Sequence, residues 1–136
     1  MALQQALVLD FNADSTEFCP WHGPAARLLA AGTYQLDEPT QQRFGRLYLY
    51  AVASGDGEAA ESLHGSAPAV HLQPLQQMDM PGIFDLKWSP AAASQAPSAQ
   101  QGYLGAALAD GTLRLYRTAE QSMAVRDHAR RETGAW

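Results

Sequence analysis

The sequence predicts an all-β protein made of two similar antiparallel units, and three observations support this. Apolar residues mostly alternate with polar ones or form short runs, which is the strand pattern, and few stretches show helical spacing. These runs end at Gly, Pro, Asp or Asn, the residues that favour turns. Three elements of the first half also recur in the same order in the second half. We therefore expect roughly two four-stranded antiparallel sheets.

In the first half, the candidate strands in chain order are Ala6–Phe11, Thr16–Cys19, Arg27–Gln35, Gly45–Val52 and Val70–Met78. Asn12-Ala13-Asp14 is expected to end the first strand and Pro20 the second. In the fourth strand, Leu47 and Leu49 should face one side, with Tyr48 and Tyr50 on the other. The fifth is the weakest, because Pro74 cannot donate a backbone hydrogen bond. Residues 53–69 are small, acidic and Gly-rich, which predicts a solvated loop.

In the second half, Ile83–Trp88 is predicted to alternate, with Phe84, Leu86 and Trp88 on the core face. Residues 91–101 have the composition of a flexible linker. Strands Tyr103–Ala109 and Thr112–Arg117 flank Asp110-Gly111, a dipeptide that favours a type I′ turn with positive φ at both positions. A further strand begins near Met123–Val125, and a polar tail follows it.

The internal repeat is the strongest indication of architecture. Three matched pairs occur in the same order: Glu17–Pro20 with Lys87–Pro90, Leu28–Gly32 with Leu104–Leu108, and Gly45–Tyr50 with Gly111–Tyr116. Order and spacing fit the blades of a β-propeller, although two unrelated β-meanders are the alternative. We expect residues 1–80 to form an N-terminal strand and blade one, residues 81–128 an incomplete blade two, and residues 129–136 a tail. Two blades would leave open faces, so we expect a partial propeller, either truncated or assembling with other chains.

Composition excludes several classes of function. A formal net charge of −5 and a pI near 5.2 argue against nucleic acid or an anionic membrane as the main partner. The single cysteine, Cys19, excludes an internal disulfide and fits a reducing compartment. No apolar run approaches the roughly 18–20 residues needed to span a bilayer, and no basic leader precedes the first apolar stretch. We expect a cytoplasmic protein.

Several segments resemble one family closely. Ala13–Pro20, Leu28–Leu36 and Gly45–Tyr50 are similar to the N-terminal part of the diphthine methyltransferase family, which are WD-repeat proteins also described as diphthine methyl ester hydrolases. Ile83–Pro90 fits the same family's next blade. The most diagnostic segment is Gly32-Thr33-Tyr34-Gln35-Leu36, which generic WD repeats rarely contain.

This resemblance implies a WD-repeat β-propeller of about seven blades that acts in diphthamide biosynthesis. The enzyme of this family is a carboxylic ester hydrolase: it removes a methyl ester from the diphthine intermediate on translation elongation factor 2, without a cofactor. The chain departs from the family in length and in its repeat signature. Tyr50 and Tyr116 stand where WD repeats usually place Trp, and Asp110 is the one retained member of the usual hydrogen-bonded set in blade two.

Residues that could perform ester hydrolysis are scattered along the sequence. There is no G-x-S-x-G elbow, and Ser54 and Ser66 lie in the predicted solvated loop. Cys19 is better interpreted as a small buried residue than as a thiolate. Four histidines occur without metal-ligand spacing, and His22 and His71 are the better candidates for a base, ahead of His64 and His128.

The acidic candidates also have simpler interpretations. We expect Asp110 to brace a turn, and Asp14 and Glu17 to be exposed carboxylates near the first strand. The catalytic residues therefore stay unknown at this stage. Two other hypotheses remain open: a non-catalytic WD-repeat scaffold for partner proteins, and a short form with weak or no activity.

Overall fold

A computed structural model of the chain describes residues 3–20, 27–54, 70–89, 102–119 and 124–127. Within these ranges every regular element is a β-strand. The strands are β1 (Asn12–Phe18), β2 (Leu28–Asp37), β3 (Gln42–Ser54), β4 (Val70–Pro81), β5 (Ile83–Trp88), β6 (Tyr103–Leu108), β7 (Leu113–Ala119) and β8 (Ala124–Asp127). The same ranges contain no helix that is long and apolar enough to cross a membrane.

The strands form two antiparallel sheets, and each sheet is built from strands that are consecutive in the sequence. The first sheet has the order β1-β2-β3-β4. The second contains β5, β6 and β7, and the four-residue β8 pairs with the end of β7. The all-β prediction is therefore confirmed.

The two sheets pair their strands in the same register. The equivalent pairs are Glu17–Ala30 with Lys87–Gly105, and Leu29–Tyr50 with Leu104–Tyr116. Each sheet also has a shift in pairing in its first strand, between Ala13 and Ser15 in β1 and between Ile83 and Asp85 in β5. A β-bulge is a specific local feature, so its recurrence at matching positions supports the repeat read from the sequence. The predicted match of Leu28–Gly32 with Leu104–Leu108 is wrong by one residue, because the register places Leu29, and not Leu28, at the position of Leu104. We refer to this matching of positions as the repeat equivalence.

A single core lies between the two sheets. Its buried residues include Leu28, Ala30, Leu47 and Leu49 from the first sheet, and Ile83, Leu86, Trp88, Leu104 and Tyr116 from the second. Tyr48 and Tyr50 lie on the opposite face of the first sheet, where they cluster with Ala31. The predicted division of β3 into a leucine face and a tyrosine face is thus confirmed.

The predicted N-terminal strand Ala6–Phe11 is wrong. Residues 3–9 contain no strand, and β1 runs through Asn12-Ala13-Asp14, where a chain break was expected. The reason is that residues 3–11 cover the tyrosine face of the first sheet through side chains: Leu9 packs there and Gln5 accepts a hydrogen bond from the Leu72 N–H at 2.7 Å. Turn-favouring residues are tolerated in β1 because it is an edge strand whose side chains there are exposed.

Two details of the second sheet also differ from expectation. Phe84 does not belong to the core face: the bulge turns its ring outward, where it is 54% exposed and stacks on Tyr34 at 5.4 Å between ring centroids. The turn at Asp110-Gly111 is not type I′, because only Gly111 has positive φ, at 80°. Hydrogen bonds from Gly111 N to Leu108 O and from Leu108 N to Thr112 O, both 3.0 Å, define a three-residue loop instead.

The remaining strands match the prediction with different bounds. β5 begins and ends where the alternation predicts. β3 is longer at both ends, whereas β2 and β4 run past their predicted ends to Asp37 and Pro81. Pro74 is accommodated in β4 because β4 is an edge strand and its pairing with β3 shifts there. β8 confirms a further strand near Val125. Most of the predicted loop at 53–69, the linker at 91–101 and the tail lie outside the described residues.

Candidate functional site

The first cluster of polar contacts lies where β1 meets β5, and we call it the seam. It consists of Ser15 and Glu17 on β1 and Asp85, Leu86, Lys87 and Trp88 on β5. The Lys87 ammonium pairs with the Glu17 carboxylate at 2.6 Å, and the Trp88 indole N–H donates to the Glu17 carbonyl oxygen at 3.1 Å. The hydrogen bond to Glu17 also raises the pKa of Lys87. These contacts fasten the two sheets to each other.

Ser15 is the seam residue closest to a catalytic type, and its bonds indicate a structural role. Its hydroxyl accepts the Leu86 backbone N–H at 3.1 Å and points to the Asp85 carboxylate at 3.4 Å. A serine nucleophile needs a base aligned to take its proton, and a carboxylate at that distance is a weak acceptor. The hydroxyl therefore serves as an acceptor for the Leu86 N–H, which also donates to the Asp85 carboxylate at 2.9 Å.

The second cluster surrounds Arg46 on β3. Its guanidinium forms ion pairs of 2.5 Å with both Asp10 and Asp79, and it lies 5.2 Å from the centre of the Phe11 ring. The hydrogen bond to Asp79 raises the pKa of Arg46. The Tyr48 hydroxyl donates to Asp10 at 3.4 Å. Two carboxylates neutralise the guanidinium, so this cluster clamps residues 3–11 onto the first sheet.

Sequence reasoning missed the Arg46 cluster. Asp10 and Asp79 lie 36 and 33 residues from Arg46 in the chain, and no local pattern indicates that three such distant side chains will meet. One signal was available in the sequence. Arg46, Tyr48 and Tyr50 alternate onto the same face of β3, so an acidic residue from a segment that covers this face was to be expected beside Arg46. The neighbouring Tyr50 is affected as well. Burial of its hydroxyl raises the pKa of Tyr50, and the electrostatic effects of Tyr48 and Asp10 raise it further.

The one thiol and the candidate base His71 are not brought together. Cys19 is only 5% exposed and lies in the core between the sheets, as expected for a small buried residue. His71 is exposed on β4 and pairs with Ala53. Cys19 follows β1 and His71 is on β4, the two outer strands of the first sheet, so two intervening strands separate them by about 14 Å.

The other predicted candidates divide into two groups. Asp14 is exposed at the bulge of β1, Glu17 is engaged in the seam, and Asp110 braces its turn by accepting the Thr112 N–H at 3.0 Å and hydroxyl at 2.6 Å. The turn role of Asp110 is thus confirmed. The hydrogen bond from the Thr112 hydroxyl lowers the pKa of Asp110. His22, His64, His128 and Ser66 lie outside the described residues, and Ser54 ends β3.

No group of three or more His, Cys, Asp or Glu side chains suited to a metal ion occurs in the described part of the chain.

The segment Gly32–Leu36 lies in β2, and two of its residues contact the second sheet. A Cβ at Gly32 would lie 2.6 Å from Ile83 Cγ2, so glycine allows the sheets to approach. Thr33 is fully buried; its hydroxyl donates to Arg46 O at 3.1 Å and accepts from Arg46 N at 2.8 Å. Tyr34 stacks on Phe84.

No family model, curated protein or solved structure matches the chain.

One large surface of the second sheet is apolar and exposed, and we call it the open face. It is formed by the outward side chains of three strands: Asp85 and Lys87 on β5, Gly105 and Ala107 on β6, and Leu113 and Leu115 on β7. Leu113 is 85% exposed and Leu115 is 51% exposed. The small residues of β6 leave a shallow hollow of about 360 Å³ between the flanking strands.

Proposed function

We propose that this chain is part of a WD-repeat β-propeller of the diphthine methyl ester hydrolase family, acting in the cytoplasm on translation elongation factor 2. The observation that best supports the proposal is the repeat equivalence of the two sheets, which share strand order, register and bulge position. Propellers are built from four-stranded sheets that repeat along the chain and pack side by side. In this assignment the two sheets are consecutive blades.

The diagnostic segment adds support for the family. Gly32, Thr33 and Tyr34 each contribute to the contact between the sheets or to the pairing of β2 with β3. The resemblance thus involves residues on which the arrangement of the two sheets depends.

The proposed reaction is hydrolysis of a methyl ester. Water adds to the ester carbonyl carbon, the bond from that carbon to the methoxy oxygen breaks, and methanol leaves with one proton. The diphthine carboxylate remains, and the second proton passes to solvent. We expect weak activity from this chain, because Cys19 and His71 are far apart and Ser15 is bonded to the backbone.

The test is a single-turnover assay with equimolar chain and elongation factor 2 that carries methylated diphthine. We expect slow loss of the methyl group, followed by mass spectrometry of the diphthine peptide, at a rate above that in buffer. The control is the variant Gly32→Val, whose disrupted contact between the sheets should remove the activity. Methyl loss at the buffer rate by a folded chain would contradict the esterase proposal.

The second candidate is a non-catalytic scaffold, and the open face favours it. Exposed leucines next to small residues are typical of a surface that binds a protein partner. Titration calorimetry with purified elongation factor 2 separates the two functions. Binding without any change in the methyl ester supports the scaffold, whereas methyl loss supports the esterase.

A further inference from the structure

The open face of the second sheet has a counterpart in the first sheet. The repeat equivalence matches its residues strand by strand. Asp85 and Lys87 of β5 match Ser15 and Glu17 of β1, Gly105 and Ala107 of β6 match Ala30 and Gly32 of β2, and Leu113 and Leu115 of β7 match Leu47 and Leu49 of β3. These six residues of the first sheet form the surface against which the second sheet packs. Leu47 and Leu49, each 2% exposed, lie in the core, whereas Leu113 and Leu115 are exposed.

The chemistry of the existing contact defines what the open face can bind. The second sheet packs on the first through Leu86, Trp88, Leu104 and Tyr116, whose side chains fill the space over Leu47 and Leu49. Glycine at position 32 admits Ile83 and Leu86, whose atoms lie 2.6 Å and 3.2 Å from a Cβ built there. The open face shares the leucines and carries Gly105 where the first sheet has Ala30. Ala107 stands where the first sheet has Gly32, so the partner residue that matches Ile83 must be smaller than isoleucine.

The two surfaces carry opposite charges at one equivalent position, which is Glu17 in β1 and Lys87 in β5. In the existing contact Glu17 receives the ammonium of Lys87. On the open face Lys87 itself stands at the position equivalent to Glu17. The Lys87 ammonium pairs with Glu17 of its own chain, but 76% of the Lys87 side chain stays exposed. A partner sheet would therefore match best with an acidic side chain that shares this ammonium, at the position that Lys87 occupies in β5.

We propose that the open face binds a separate four-stranded antiparallel sheet of the same repeat, with an aliphatic and aromatic inner face and an acidic residue opposite Lys87. The contact continues the interface already present between the two sheets. An intact second copy of this chain is a poor occupant, because Leu9 and the Asp10–Arg46 ion pair cover its Tyr48–Tyr50 face. The inference rests on the proposed propeller architecture and is independent of the esterase activity.

A matched pair of variants tests whether the open face is free in the chain. Leu49→Ser and Leu115→Ser change equivalent residues, one buried and one exposed. We expect Leu49→Ser to lower the Tm of the full chain by roughly 10 °C or more, and Leu115→Ser to change it by less than about 2 °C. Equal decreases in Tm for the two variants would mean that the chain covers its own open face, and the proposal would be wrong.

Binding is tested with a probe that presents a suitable sheet. The probe is this chain without residues 1–11 and with Leu115→Glu, so that its Tyr48–Tyr50 face is uncovered and its own open face is blocked. It carries Glu17 at the position equivalent to Lys87 and Leu29 at that equivalent to Leu104. We expect a one-to-one complex with the full chain in sedimentation velocity.

The same assay includes its controls. Leu115→Glu in the full chain should weaken the complex by roughly tenfold or more, while Leu3→Glu should leave it unchanged. Absence of a complex when circular dichroism shows a folded probe would overturn the proposal, as would dimers of the full chain that Leu115→Glu abolishes. Because no methyl ester is present, failure here and failure of the esterase assay are separate results.

Discussion

At the scale of single residues, Gly32 sets how closely the two sheets approach. A Cβ at this position would lie 2.6 Å from Ile83 Cγ2 and 3.2 Å from Leu86 Cδ1. Ile83 is fully buried and β-branched, so its side chain cannot rotate away. We expect Gly32→Val to lower the free energy of unfolding by about 3 kcal/mol, measured by urea denaturation.

Gly105 provides the matched control for Gly32. It also lies in a strand, but a Cβ there would meet only the Lys87 carbonyl oxygen, at 3.6 Å. Its equivalent in the first sheet, Ala30, already carries a Cβ. Gly105→Ala should therefore change stability by less than about 0.5 kcal/mol. A comparable loss in both variants would contradict the close contact assigned to Gly32.

A second residue-scale prediction concerns acid and the turn at Asp110. The carboxylate accepts two hydrogen bonds from Thr112, and the one from the hydroxyl is the main reason that its pKa is lowered. A lowered pKa in the folded state adds stability above the ordinary Asp pKa, and that stability is lost as pH falls through the folded-state pKa. We expect Asp110→Ala to cost about 1 kcal/mol near neutral pH.

The difference between the wild-type chain and Asp110→Ala should shrink below about pH 4, as followed by urea denaturation across that range. Asp110→Asn is the control, because it keeps a side-chain oxygen as acceptor and does not titrate. Its cost near neutral pH should be smaller, and it should shrink over the same pH range because only the wild-type chain titrates at this position. The difference in stability between Asp110→Asn and Asp110→Ala should not depend on pH. A constant cost of Asp110→Ala down to strongly acidic pH would refute the role given to the carboxylate.

At the scale of elements, the seam between β1 and β5 combines a buried bond with an exposed one. The Trp88 indole N–H reaches the Glu17 carbonyl oxygen from a side chain in the core, whereas the Lys87 side chain is 76% exposed. We expect Trp88→Phe to lower the free energy of unfolding by about 1–2 kcal/mol, because it leaves that oxygen without the indole donor and removes buried volume.

Lys87→Met is the comparison, since an exposed ion pair contributes little. Its effect on the urea unfolding free energy should stay below that of Trp88→Phe, and added salt should reduce it further. The opposite ranking of the two variants would show that charge, and not the indole hydrogen bond, holds β1 against β5.

The strands with a clear two-residue alternation could be predicted from the sequence. The bounds of β5, the two faces of β3 and the equivalence of the two halves all follow from positions that alternate or recur. The outward position of Phe84 could not be predicted, because one unpaired residue in a bulge reverses the alternation without a sequence signal.

Contacts between distant residues account for the other errors. Ala6–Phe11 is apolar enough for a strand, yet it covers the first sheet through Leu9 and the Asp10–Arg46 ion pair. The same limit applies to the candidate site. Its single residues could be ranked by type, but their separation, such as that of Cys19 from His71, depends on which strands become neighbours.

At the scale of the whole molecule, each sheet has two unlike faces. The first sheet offers its leucine face to the second, and the second receives it on the side of Trp88 and Tyr116. Such a contact is heterologous, since the two surfaces that meet are different. Each sheet in such a series touches only its neighbours, so stability is expected to rise with every sheet added.

The covering of the tyrosine face by residues 3–11 gives this arrangement a direction. Residues 3–11 lie over one side of the pair, whereas Leu113 and Leu115 leave the other side exposed, so a further sheet of the proposed propeller would be added next to these two leucines. Because every sheet is made of strands that follow one another in the chain, a ribosome would deliver them in the order in which they stack. Each newly synthesised unit would then find its docking platform already folded.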